Sequence, residues 1–184
     1  MEKPVSRKIY LSEQFTQESI KLVTKSIDEI NDKDDTLERE LLITYGLTYE
    51  RKPIELKIDS FGGMVYMAFG LISVLENSKT PIHTIVTGCA MSCGFLLLIC
   101  GKKRFAHKHS TILYHQVSSG GRGTLKELED NIVETRRINK VLRDVTLAKT
   151  KISKARLKEC YEKKIDWYIT AEEALKLGII DEIL

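Results

Sequence analysis

No apolar run in this sequence reaches the roughly 20 residues that a membrane-crossing helix needs; the stretch from Gly94 to Cys100 falls well short. No Cys-x-x-Cys pair occurs among Cys89, Cys93, Cys100 and Cys160, and Met1 to Tyr10 hold no secretory leader, so the cysteines read as reduced thiols of a cytoplasmic protein. A strong excess of one charge is also missing. Lys plus Arg number 29 against 26 Asp plus Glu, a net +3, which calls for no polyanionic partner: no nucleic acid and no membrane surface. There is no internal repeat or low-complexity tract, and 184 residues suit a single domain, 1–184, with a core of its own.

What is present is an alternation of strand and helix patterns, the mark of an α/β fold. Lys8 to Leu11 reads as a short strand. Ile20, Leu22, Val23, Ile27 and Ile30 recur at helical spacing, so a helix is expected over Thr16 to Ile30, closed by the polar break Asn31 to Asp35. Thr36 to Tyr49 fits either more helix or a flap. Ile54, Leu56 and Ile58 alternate with Glu55 and Lys57 as a half-buried strand, which ends at Asp59-Ser60-Phe61-Gly62-Gly63 before a helix from Met64. Pro81 opens a further strand, Lys102-Lys103-Arg104 reads as a basic turn, Thr111 to Tyr114 as a strand and Val117 to Gly123 as a flexible loop. Thr124-x-x-Glu127 is a capping box, and the apolar stripe from Leu125 through Ile132, Ile138 and Leu142 to Val145 predicts a helix over 124–150, about 39 Å long. So small a domain cannot cover it, and part of its stripe is expected to meet another subunit. Ser153 caps a short helix, Lys164 to Ile169 is extended, Thr170-x-x-Glu173 caps another helix that Gly178 closes, and Ile179 to Leu184 is a last strand.

Chemistry concentrates in Gly88 to Gly94. A small-residue turn after the strand Ile82 to Thr87 places one hydroxyl, Ser92, before an apolar helix, as a strand-turn-helix elbow presents a nucleophile. The motif is Ala-x-Ser-x-Gly, and a helix N-cap before a core helix explains Ser92 equally well. Cys93 beside it reads as packing, or as a rival nucleophile. Gly62-Gly63 at another strand-to-helix turn can bring amide groups close to a ligand oxygen. Among the histidines, His83 lies inside an apolar strand, and His107 and His109 sit in a turn without a third metal ligand nearby. His115 ends an apolar strand beside a Gly-rich loop, where catalytic groups collect. Asp166, flanked by Ile165 and Trp167, is expected to be half-buried and could orient a histidine. No metal or cofactor is called for.

Ser60-Phe61-Gly62-Gly63, Gly88 to Gly94, Tyr114-His115-Gln116 with Gly120-Gly121, and Asp166 to Ala174 together resemble the proteolytic subunit family of the Clp protease, over roughly residues 7 to 184. The resemblance implies the Clp protease/crotonase-like α/β fold of repeated β-β-α units, with 124–150 as a projecting handle helix. It implies a serine endopeptidase that hydrolyses peptides or unfolded proteins inside a ring-shaped chamber. Ser92 would be the nucleophile, His115 the base and Asp166 its orienter; Gly63 and Cys93 would donate the oxyanion-hole amides. Met64 and Val65, with Val117, Ser118 and Gly120, would hold substrate as an added strand. A homo-oligomeric ring, a heptamer or double heptamer, and a Clp-type ATPase partner are further implications. Three features depart from the family: no axial loop precedes the Lys8 strand, Lys33 to Arg51 is an insertion, and Glu55 and Lys57 replace aromatics on the outer face that docks the ATPase, where Phe105 is kept. Phe61 also stands where the family has proline. Two alternatives remain: a catalytically idle, regulatory ring subunit, and an acyl-CoA-processing enzyme of the crotonase fold.

Overall fold

Two paired strands stand in the middle of the sheet: β2 (Ile54–Ser60) and, parallel to it, β3 (Ile82–Met91). They belong to a computed structural model that describes residues 6–184. β1 (Lys8–Leu11) lies parallel outside β2, and β4 (Lys103–Ala106) and β7 (Glu182–Ile183) continue beyond β3, in the order β1-β2-β3-β4-β7. β5 (Thr111–Tyr114) pairs with the far half of β3 and, antiparallel, with β6 (Trp167–Thr170). The helices are α1 (Gln17–Tyr45), α2 (Val65–Asn77), α3 (Cys93–Leu98), α4 (Leu125–Lys149), α5 (Lys154–Glu162) and α6 (Ala171–Lys176). The expected α/β architecture is thus present.

The strand β3 serves two neighbours in succession. His83 to Val86 pair with Lys103 to Ala106 of β4, whereas Cys89 to Met91 pair with Thr111 to Leu113 of β5. At the changeover β2 slips as well: Ile58 faces Val86 but Ser60 faces Ala90, so Thr87 to Cys89 bulge past a single residue, Asp59. The inward face of β2, Ile54, Leu56 and Ile58, is fully buried in one core with Leu71 of α2 and Phe95 to Leu98 of α3. On the other face Tyr10, Glu55, Lys57, His83 and Phe105 are neighbours, with the Lys57 ammonium 5.6 Å from the Tyr10 ring centre and the His83 ring 5.8 Å from Phe105.

The expected break at Asn31 to Asp35 does not exist, and the ambiguous Thr36 to Tyr49 is helix as far as Tyr45. The polar residues that suggested a break are the means by which α1 is held. Asp34 is fully buried and accepts two bonds from Arg7 (2.9 and 2.6 Å), one from the Tyr49 hydroxyl (2.9 Å) and one from the Thr80 hydroxyl (2.6 Å). Asn31 donates to Ile27 O and Ser78 Oγ and accepts the Thr80 amide. Arg51 then ties the returning chain to Asp35 and Glu38, after Gly46 ends the helix at φ 64°. Residues 33–51 are therefore the end of a long helix with a braced return, whose tip leaves Leu42, Ile43, Tyr45 and Leu47 exposed.

Other boundaries shift for similar reasons. Lys103 and Arg104 are not a turn but the start of β4, where Arg104 pairs with Asp181. The strand β3 runs on through Gly88 to Met91, so the expected small-residue turn shrinks to one residue. The terminal strand is only Glu182–Ile183, and α3 is only six residues long. In α4 the capping box forms between Thr124 and Glu127, but only Ile138, Leu142 and Thr146 are buried; Leu125 is 75% and Val133 66% exposed, so the first half of a helix about 37 Å long projects with its apolar stripe open.

Burial alone would raise the Asp34 carboxyl, but hydrogen bonds from Arg7, Thr80 and Tyr49 outweigh it and hold the group below the ordinary carboxylate range. Its stabilising effect is therefore present above about pH 4 and is lost as pH falls through the lowered folded value. Asp34→Ala should cost about 3 kcal/mol, because it strands a mostly buried guanidinium and two hydroxyls; urea unfolding at neutral pH measures this as a lower midpoint with an unchanged slope, and the deficit against the parent should shrink in acid.

Candidate active site

Ser92 is by itself the turn between β3 and α3. It stands at φ 54°, ψ −113°, on the side of conformational space that L-residues avoid, and such a position costs about 1–3 kcal/mol. Its amide donates to Leu113 O on β5 at 3.1 Å and its carbonyl accepts the Leu96 amide at 3.2 Å, so both ends of the turn are tied down. It occupies the N-cap position of α3, yet its side chain makes no capping hydrogen bond. The hydroxyl is thereby left for another purpose, which the capping explanation of this residue does not provide.

The glycine loop after β2 lies directly against this turn. Phe15 takes it into a short bridge, donating to Gly62 O and accepting from the Met64 amide, each at 2.8 Å. A Cβ on Gly62 would come within 2.8 Å of Ser92 Cβ, and one on Gly63, at φ 145°, within 2.7 Å of the Phe15 nitrogen, so only glycine fits at either place. The Cys93 thiol donates to Gly63 O at 3.3 Å, which sets the two backbones side by side. Among the described residues neither the Gly63 nor the Cys93 amide has a hydrogen-bond acceptor. Burial pushes the Cys93 thiol up, so it stays protonated and a poor nucleophile at neutral pH.

The base candidate arrives by strand register. β5 and β6 pair Tyr114 with Trp167, so the next residues outward, His115 and Asp166, face each other, with Nδ1 of His115 3.6 Å from Oδ1 of Asp166. Among the described residues, Nε2 of His115 is buried without a hydrogen-bond partner, a costly state that recurs at functional sites. Asp166 departs from expectation: its side chain is 62% exposed rather than half-buried. Its flanks explain this, because Ile165 and Trp167 turn inward, with Arg156 over the Trp167 ring, and alternation sends Asp166 out.

A cavity of about 210 Å³ is lined by Ser92, Cys93 and His115, by Gly63, Met64 and Val65, and by Val117 and Ser118. Eight of the residues singled out in the sequence thus meet around one space. Gly120 and Asp166 are not part of the lining, nor are His83, His107 and His109. Leu96 and Leu142 complete the lining and have no signal in sequence beyond their helical periodicity. Asn139 of α4 was also not foreseen: its side-chain oxygen accepts the Val117 amide at 2.8 Å, and Thr135, one turn earlier, bonds Ser119 at 2.9 Å. Their spacing of four on one helix face was the available clue. Among the described residues no group of three His, Cys, Asp or Glu side chains could hold a metal, and no helix is long and apolar enough to cross a membrane.

The backbone of Ser92 makes a simple demand on stability. Ser92→Gly should be more stable than Ser92→Ala by about 1 kcal/mol, since both lack the hydroxyl but only glycine is at ease at φ 54°; thermal melts of the two variants check this.

Residues 5–184 match the family described as Clp protease. The chain is similar to an ATP-dependent Clp protease proteolytic subunit of Deinococcus radiodurans, with 35% identity over 133 residues that make up 71% of this chain and 64% of the relative. It is similar as well to ATP-dependent Clp protease proteolytic subunit 2 of Treponema pallidum, with 30% identity over 148 residues, 79% of this chain and 73% of the relative. The first of these alignments spans a little under two thirds of that relative's length. Because the family match runs over residues 5–184 and so takes in the glycine loop, the Ser92 turn, His115 and α4, the chain belongs to the Clp protease family.

Proposed function

We propose that this chain is a serine-type endopeptidase that cleaves peptides or unfolded proteins, with Ser92 as nucleophile, His115 as general base and Asp166 as its orienter. The observation that carries the reading is the meeting of a strained, uncapped serine, a histidine with an unpaired buried nitrogen and two free amides around one cavity. Ser92 Oγ attacks the peptide carbonyl and gives its proton to Nε2 of His115. The carbonyl oxygen, now negative, takes hydrogen bonds from the amides of Gly63 and Cys93. His115 returns the proton to the departing amine, and water then releases the acyl group by the same steps in reverse. Asp166, which lies 3.6 Å from Nδ1, closes onto the imidazolium by a small rotation of an exposed side chain.

Substrate would lie as an extended strand between Met64–Val65 and the segment Val117 to Gly120, which Asn139 and Thr135 anchor to α4. The open stripe of α4, Leu125, Ile132 and Val133, would be buried between copies of a homo-oligomeric ring of one-domain subunits, heptameric or double heptameric. An ATP-driven partner that inserts an apolar segment would meet Glu55 and Lys57 on the outer sheet face, an unfavourable surface for it. The acyl-CoA alternative needs only the amide pair and gives Ser92 and His115 no task. A regulatory ring subunit is the second reading, favoured by the 3.6 Å gap between His115 and Asp166 in the resting site.

Turnover of a short fluorogenic peptide by purified protein of known mass decides between these readings. Ser92→Ala should lower kcat by at least about a thousandfold and Asp166→Asn by a comparable factor, while Cys93→Ala stays within about tenfold of the parent. A fluorophosphonate should label Ser92. Full turnover by Ser92→Ala, or labelling at Cys93 instead, would sink the peptidase assignment; labelling of Ser92 only after a partner subunit is added would favour the regulatory one.

A further inference from the structure

The strands β2 and β3 each lead into one half of the proposed amide pair, and they do so over equal lengths of chain. Gly63 lies four positions after Asp59, and Cys93 four positions after Cys89. The spacing of the two amides therefore depends on how β2 and β3 are held at Asp59 and Cys89, four positions before each amide.

The ladder of main-chain bonds does not hold them there. Two steps along β2, from Ile58 to Ser60, answer four along β3, from Val86 to Ala90, and at the same point β3 exchanges β4 for β5. A side chain fills the gap. Oδ1 of Asp59 accepts the Cys89 amide at 2.9 Å, and the carboxylate lies so close over Gly88 that a Cβ there would be 2.4 Å from Oδ1 and 2.8 Å from Cγ. Burial first, and then the adjoining Asp59 carboxylate, push the Cys89 thiol up to about 11, so its proton stays on sulfur and is available to the same acceptor. Thr87 adds a longer bond to Ile58 O at 3.4 Å. On the far side Gly62 is wedged against the turn, with an added Cβ only 2.9 Å from Met91 O and 3.1 Å from the Cys93 nitrogen. With both sides in contact, an error at Asp59 passes directly to Ser92 and its neighbours.

We propose that Asp59 is a positioning residue for the Ser92 site: as acceptor for the Cys89 amide, its carboxylate sets the offset between β2 and β3 and thereby the spacing of the Gly63 and Cys93 amide donors. The inference rests on the peptidase reading of that site. The role belongs to the place of an acceptor oxygen and not to its charge. Asp59→Asn keeps such an oxygen at the same distance from the backbone. Asp59→Glu keeps the charge but carries its oxygens one methylene further from the backbone, out of register with the Cys89 amide, and Asp59→Ala removes the acceptor.

Peptide turnover by the parent, Ser92→Ala and these three variants, with amide exchange at Cys89 and a thermal melt of each, tests the assignment. Asp59→Asn should keep kcat within about threefold. Asp59→Glu and Asp59→Ala should lose about 10- to 100-fold in kcat with KM changed by less than about threefold, since a misplaced donor weakens the transition state more than the substrate complex. Exchange at the Cys89 amide should quicken in Glu and Ala but not in Asn. Retained kcat in Asp59→Glu, an equal fall in Asp59→Asn, or a loss confined to KM would overturn the role. Should Asp59→Ala not fold, the contrast of Asn with Glu carries the test alone. Absence of Ser92-dependent turnover in the parent would remove the peptidase reading instead, and exchange at Cys89 would then decide the strand offset: faster in Glu than in Asn upholds it, equal rates refute it.

Discussion

A strand that must pair with β4 over its first half and with β5 over its second cannot stay in one regular ladder, and most of what surrounds Ser92 follows from that division of β3. The bulge at Thr87 to Cys89 absorbs the mismatch. Beyond it, β5 brings His115 and, through its antiparallel partner β6, Asp166 to the same end of the sheet at which β3 stops. The β2 side contributes the glycine loop. Three groups far apart along the chain are thus collected by the way one strand shares its hydrogen bonds, with no long loop needed to reach across.

The same economy governs α4. Its buried half, Ile138, Leu142 and Thr146, packs on the core, Leu142 reaches the cavity, and Asn139 holds the Val117 amide. Its outer half presents Leu125, Ile132 and Val133 to solvent. One rigid element therefore joins an open apolar surface to the segment beside the proposed base. Tyr66, the second residue of α2, donates to Glu134 at 2.6 Å, and Glu134 in turn accepts from Arg137, so both sides of the cleft are fastened to this helix.

Much of this arrangement could be read from residues alone. Alternation in Ile54 to Ile58 gave the face of β2, the boxes at Thr124 and Thr170 gave helix starts, and the elbow and both glycine elements stood out because their residue types are dictated by backbone shape. Polar residues with distant partners misled. Asn31 and Asp34 look like a break until Arg7, Tyr49 and Thr80 are seen around them, and Arg104 looks like a turn until Asp181 is seen beside it. Asp166 was misjudged because apolar flanks in a strand imply the opposite face for the residue between them. Asp59 left no trace, since it acts by accepting one amide across the fold and no periodicity records that, whereas Asn139 left only its spacing of four from Thr135.

The Asp34 clasp has a bearing on how long the molecule lasts once formed. Its partners stand 27, 15 and 46 positions away along the chain, on either side of α1 and past α2. Contacts between segments so far apart along a chain carry a large closure entropy, and such contacts tend to form after local structure. Interactions that form after the barrier slow escape from the native basin rather than entry into it. The clasp is accordingly a device for persistence: it lengthens the interval before a folded subunit opens spontaneously, and leaves the speed of its first assembly to the local helices and to the β2–β3 pair.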